Sequence, residues 1–108
     1  VSRTVHIGLQ ARRDIRANHD WLRRRSQAAA DRWLASLDRA VRALADTAEQ
    51  YPRSEVVVEG HDLREMLHGR RRAVYRVFFE FSADRVDVVR VPHASQGDPD
   101  PADFPPGG

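Results

Sequence analysis

At 108 residues the chain has the size of one domain, enough to bury a single core and too little for two. It has no cysteine, which excludes a disulfide framework and thiolate metal sites. No apolar run approaches bilayer length and the first residues lack the charged-then-apolar layout of a secretion signal, so a cytoplasmic protein without a membrane partner is expected. Net charge is +2, all eighteen basic side chains are arginine, and three of the sixteen acids fall in the last eleven residues, leaving the remainder more basic than the whole. A GC-rich codon bias accounts for the missing lysine with no functional pressure. Arginines clustered on one face have a sharper meaning, because planar guanidinium groups grip phosphates and carboxylates bidentately.

In chain order, Thr4-Val5-His6-Ile7 alternates polar and apolar residues and predicts a short strand ending near Gly8. From about Leu9 to Arg25, Ala11, Ile15 and Leu22 recur at near-helical spacing, an amphipathic helix with a thin apolar stripe. Ser26 is placed to cap a second helix whose Ala30, Trp33, Leu34, Leu37, Val41, Leu44 and Ala48 form a clean stripe ending before Tyr51-Pro52. Joined so closely, the two helices should pack as an antiparallel hairpin over one face of a sheet.

The run Glu55 to Gly60 reads equally as loop, edge strand or strand start. Three strands should follow, Asp62–Leu67, Arg71–Phe81 and Arg85–Val91, joined at His68-Gly69-Arg70 and Ser82-Ala83-Asp84 as an antiparallel meander. Alternation sends Ala73, Tyr75, Val77, Phe79 and Phe81 to the core, and Arg72, Val74, Arg76, Phe78 and Glu80 outward. Leu63 and Leu67 as core residues would carry Glu65 inward, which a bulge near Glu65 would relieve. From Gly97 on, the Pro/Gly/Asp-rich composition predicts a disordered tail over residues 97–108, leaving 1–96 as the folded domain. Folding of Phe104 back over the basic face is the rarer alternative.

This order, with Ala-Arg-Arg-Asp-Ile, Ala-Ala-Asp-Arg-Trp-Leu, Leu-Arg-Glu-Met-Leu-His-Gly, Arg-Ala-Val-Tyr-Arg-Val-Phe-Phe and Val-Asp-Val-Val-Arg-Val-Pro-His, resembles the RelE/ParE superfamily of type II toxin–antitoxin toxins over roughly residues 3 to 96. The resemblance implies an α+β fold: an N-terminal strand, an antiparallel helix hairpin and a three-stranded antiparallel meander, with the helices on one face of the sheet. It implies a cytoplasmic poison neutralised by a cognate antitoxin in a hetero-oligomer. Some relatives cleave messenger RNA on the ribosome without a metal, while others block DNA gyrase and lack nuclease activity. The expectation is a ribosome-dependent mRNA endonuclease. A gyrase inhibitor or a non-toxic antitoxin-binding member are the alternatives, since fold alone does not separate them.

Metal-independent cleavage can use the RNA 2′-hydroxyl as nucleophile, and the protein then supplies acid, base and positive charge for the phosphate. By the resemblance, Arg72 would hold the scissile phosphate and His93 would act as general acid or base. Arg64, Arg70, Arg76 and Arg90 would bind neighbouring RNA phosphates. The C-terminal tyrosine or lysine of some nucleases has no counterpart in Ala94-Ser95-Gln96, and Glu55 or Glu59 are the available carboxylates before the meander. Val74 and Phe78, apolar and outward between arginines, are expected to meet the antitoxin. The five histidines show no ligand spacing, so neither metal nor other cofactor is expected.

Overall fold

A computed structural model describes residues 2–106. Strand β1 (Thr4–Ile7) leads into helix α1 (Leu9–Arg23) and helix α2 (Gln27–Thr47), followed by strands β2 (Arg64–Arg70), β3 (Ala73–Phe81) and β4 (Arg85–Arg90). The sheet order is β1-β4-β3-β2; β2, β3 and β4 form the antiparallel meander, and β1 pairs parallel with β4. The architecture is the expected α+β one.

α2 begins where the sequence placed it, with the Ser26 hydroxyl accepting from the Ala29 N–H at 3.1 Å. That satisfies one of the free donors at the helix start. The helix hairpin covers one face of the sheet. There Ala11, Leu37, Val41 and Leu44 meet Met66, Tyr75, Val77, Phe79, Val86, Val88 and Val91 in one core. Each such large apolar side chain removed from water contributes about 1.5–3 kcal/mol before entropy is counted.

The β2–β3 connection differs from expectation. It is a two-residue turn at Arg71-Arg72, with His68-Gly69-Arg70 still in β2. Gly69 lies at φ 99°, and a Cβ there would sit 2.0 Å from the Ala73 carbonyl oxygen, so only glycine lets the hairpin close. Moving the turn by a few residues changes the parity of β2. Met66 enters the helix-side core, Leu67 is 65% exposed, and Leu63 and Glu65 belong to the opposite side. No bulge near Glu65 is then required. The register shift lies instead between β3 and β4, where Phe78 opposes Arg90 and Phe79 opposes Val88, leaving Val89 as the extra residue.

The face away from the helices is not open. Residues 56–63 fold across it without strand structure, and Val56, Val58, Leu63, Phe78, Val89 and Phe104 make a second apolar cluster. In place of the expected disordered tail, residues 97–106 run back over this face through a short 3-10 turn at Pro101–Asp103. Phe104 is the physical reason: it has an apolar pocket to fill, and is 7% exposed. The last two residues of the expected tail lie outside the described ones.

Candidate functional site: a cleft beside the arginine turn

Arg72 and His93, each named from the resemblance as a catalytic group, line one cleft, though Arg72 sits in the turn and not on a strand. The cleft they share is about 410 Å³ and is lined by Ala17, Asn18, Trp21, Tyr75, Ser95 and Gln96 as well. α1 supplies one wall, tied to the end of β4 by a hydrogen bond from the Asn18 amide to the Val91 carbonyl at 2.9 Å. Pro92 and His93 supply the other, with the Arg76 N–H donating to the Pro92 carbonyl at 2.9 Å.

His93 is fully engaged. The Ser95 N–H donates to its Nδ1 at 3.0 Å, which makes Nδ1 an acceptor and places the proton on Nε2; that N–H donates to the Arg72 carbonyl at 2.9 Å. Ser95 Oγ lies 2.7 Å from Nδ1, and the Gln96 side chain accepts from the His93 N–H, closing a capping box. Tyr75 packs edge-on at 5.0 Å between ring centroids, with Trp33 behind it at 4.8 Å. Tyr75 is thus both core and cleft floor, and burial raises its phenol pKa. The ring of His93 therefore serves the geometry of the turn: it pins Arg72 through the backbone and leaves the guanidinium free.

Arg64, Arg76 and Arg90 do not share that freedom, which corrects the expected cationic sheet face. Arg76 makes a two-point contact with Glu65, Nε to Oε2 at 2.8 Å and Nη2 to Oε1 at 3.1 Å, and reaches Asp98 at 2.9 Å. These carboxylates raise its pKa further, the Glu65 hydrogen bond most. Arg90 grips Asp14 of α1 at 2.7 and 3.2 Å, and Asp14 also accepts from the Val91 N–H at 2.8 Å. Arg64 points to the helix side, where it donates to the Tyr51 carbonyl at 2.7 Å and lies over the Phe81 ring. All three are structural ties between elements distant in sequence. Phe78, expected to be exposed for a partner, is fully buried, and only Val74 of that pair keeps some exposure.

Free positive charge is found at the turn. Arg70, Arg71 and Arg72 are exposed, and no carboxylate pairs with any of them among the described residues. Arg71 has a left-handed backbone, φ 60°, which lets the two-residue turn close between β2 and β3. Across the cleft Trp21 is 49% exposed, with the Arg25 guanidinium 4.2 Å from its ring centroid. Sequence reasoning missed Trp21 and Asn18. The signal available was an aromatic beside the Arg23-Arg24-Arg25 run, off the apolar stripe of α1. Glu55 and Glu59 lie in the loop over the far face and supply nothing to the cleft. No group of three metal-binding side chains occurs among the described residues.

Comparison with known proteins bears on this arrangement. A family model described as "ParE toxin of type II toxin-antitoxin system, parDE" matches residues 5–97. Among solved structures, a chain of the "Chromosomal ParDE TA system from P. aeruginosa" superposes with a TM-score of 0.68, covering 85% of this chain and 96% of that one, at 16% identity. At that identity the likeness is one of fold. No curated protein matches the chain.

Proposed function

Because the chain belongs to the ParE toxin family of type II toxin–antitoxin systems, we propose that it is the toxin of such a pair, neutralised by a cognate antitoxin, and that it acts by binding DNA gyrase and not by cutting RNA. The observation that carries this reading is the state of His93. With Nδ1 accepting from Ser95 and Nε2 donating to the Arg72 carbonyl, the ring has no free nitrogen for proton transfer. A general acid or base needs one within hydrogen-bond reach of the reacting atom. What the cleft offers is an exposed tryptophan and the unpaired guanidinium of Arg72, with exposed Arg70 and Arg71 on the adjoining turn. That combination suits recognition, since tryptophan and arginine are the side chains most often found at the energetic centre of interfaces.

The test places the purified protein in two assays side by side. Gyrase-driven supercoiling of relaxed plasmid should stop, while messenger on translating ribosomes stays whole. His93→Ala should weaken inhibition only as far as the turn loosens, and Arg71→Glu with Arg72→Glu should abolish it. Cut transcripts with supercoiling unaffected would overturn the reading.

One observation favours the nuclease alternative: Arg72 and His93 do line a common cleft. Under that reading the Ser95 and Arg72 contacts to the ring break when RNA enters. The same two assays then give the opposite result, and His93→Ala abolishes cleavage with the fold intact.

A further inference from the structure

The tail that covers the second sheet face carries chemistry the fold does not need. Phe104 plugs a pocket of Val56, Leu63, Phe78 and Val89, edge-on to Phe78 at 5.9 Å. Acids precede it in the strap: Asp98 meets Arg76 at 2.9 Å and Asp103 lies 3.8 Å from Arg90. Each of those arginines already has a carboxylate of its own from the folded body, Glu65 and Asp14. The tail supplies a second and dispensable one. Beyond the plug, the Pro105 carbonyl accepts from His61 Nε2 at 2.6 Å.

How the tail is held matters as much as where it lies. Its backbone bonds are internal, Asp103 N–H to Asp100 and Phe104 N–H to Pro101, and no backbone hydrogen bond joins residues 98–105 to a strand among the described residues. A segment retained by one aromatic side chain, one hydrogen bond from His61 and two ion pairs whose carboxylates are exposed opens at a small fraction of the global unfolding free energy. The pocket it would vacate is apolar and bordered by two cations, complementary to the aromatic-and-acid pattern now seated there.

We propose that this face is a docking groove for a polypeptide segment bearing an aromatic residue preceded by carboxylates, kept closed in cis by residues 98–105, so that a partner of that chemistry binds only as the strap leaves. The inference is independent of whether the toxin binds gyrase or cuts RNA, and its test involves neither. Tethering gives the strap a high effective concentration, so it suppresses binding from outside in proportion to its occupancy.

The experiment uses full-length protein, wild type and an opened variant carrying Asp103→Asn and Phe104→Ala, titrated into a fluorescently labelled peptide of residues 97–108. Fluorescence anisotropy should show saturable binding to the opened variant, about tenfold or more weaker binding to wild type, and none when the peptide itself carries Phe104→Ala. Equal affinity for both proteins, or no binding to an opened variant that is folded by circular dichroism, overturns the proposal. Should the variant fail to fold, wild-type hydrogen exchange decides. Amides of Asp103 and Phe104 exchanging much faster than that of Val77 support a displaceable strap, and exchange at the core rate rejects it.

Discussion

On the helix-covered face, Val77, Phe79, Val86, Val88 and Val91 are fully buried beneath α1 and α2, regular elements whose apolar stripes repeat with helical period. On the opposite face Phe78 is equally buried and Val89 nearly so, yet what covers them is a loop over residues 56–63 and a strap ending at Phe104, neither with any period. The first covering is cooperative with the core, because each helix packs an apolar stripe into the same cluster as the strands. The second is assembled from local contacts and ion pairs, so parts of it can leave without the rest. Equal burial thus conceals unequal permanence, and the arginines divide in their own way: Arg76 and Arg90 are tied to Glu65 and Asp14 of the folded body, while Arg70 to Arg72 stay free at the turn.

Large-to-small changes on the two faces should break the comparison open. Phe79→Ala in the helix-side core is expected to lower stability by about 3–5 kcal/mol in urea unfolding. Phe104→Ala, in the strap, should cost about 1–2 kcal/mol at most, since the strap can detach locally and cap the loss. If the two variants unfold at the same urea concentration, the faces are equally cooperative and the distinction fails. Between these lies Gly69→Ala, whose new Cβ would collide with the Ala73 carbonyl in a backbone conformation that side chains avoid. Backbone strain alone costs about 1–3 kcal/mol, and the turn carrying Arg72 should lose its contact with His93, visible as a shift of the His93 ring resonances.

The helix-side half of this structure was readable because its signals are periodic. Ser26, the stripe from Ala30 to Ala48 and the alternation of Tyr75, Val77 and Phe79 each predict their own place. The far face was not, for two physical reasons. Turn position sets strand parity, and Gly69 reads as the turn itself when it is the residue that lets the turn close two positions later. Ion pairs such as Arg90–Asp14 join residues 76 apart in sequence, and nothing local marks Arg90 as spoken for. A row of outward arginines therefore looked like one cationic surface, while folding turned Arg64, Arg72 and Arg76 to three different tasks. Of the candidate site, Arg72 and His93 were each named by resemblance, while the contact of the His93 ring with the Arg72 carbonyl was not predicted, because Pro92 breaks the strand parity that would have aimed the ring. Its capped, fully bonded state depends on Ser95 and Gln96, which the sequence reading had counted only as missing catalytic groups.

Charge removal sharpens the contrast within the far face itself. Glu65 and Arg76 are both largely buried, at 17% and 14% side-chain exposure, whereas Asp98 is 76% exposed. Glu65→Ala should cost about 1–3 kcal/mol by stripping a buried guanidinium of its two-point acceptor. Asp98→Asn should change global stability by less than about 1 kcal/mol, as exposed pairs do. Matching losses would mean that strap and body share one network, contrary to the division drawn above.

The smallest effect is the most specific to the strap. His61 is buried to 3% side-chain exposure, with Nε2 on the Pro105 carbonyl and Nδ1 3.0 Å from Glu80 Oε1, off the line of a good hydrogen bond. Burial, the largest single influence, lowers its pKa, but the Pro105 carbonyl and Glu80 together outweigh it and the net direction is upward. A group whose pKa is raised on folding adds stability that is complete below its unfolded value, near 6.5, and that fades as pH climbs through the raised folded value. The strap should accordingly be held most firmly in mildly acidic solution and loosen towards neutral and alkaline pH. Glu80 faces His61 from β3, Arg85 and Asp87 line the same hollow from β4, and His6 does so from β1, so the titrating group must be identified by substitution. Exchange of the Phe104 amide, corrected for its intrinsic pH dependence, should quicken across that range in wild type and in His6→Gln, and become flat in His61→Gln. A profile that survives His61→Gln and disappears with His6→Gln would assign the clasp to β1 and remove His61 from the account of how the strap is held.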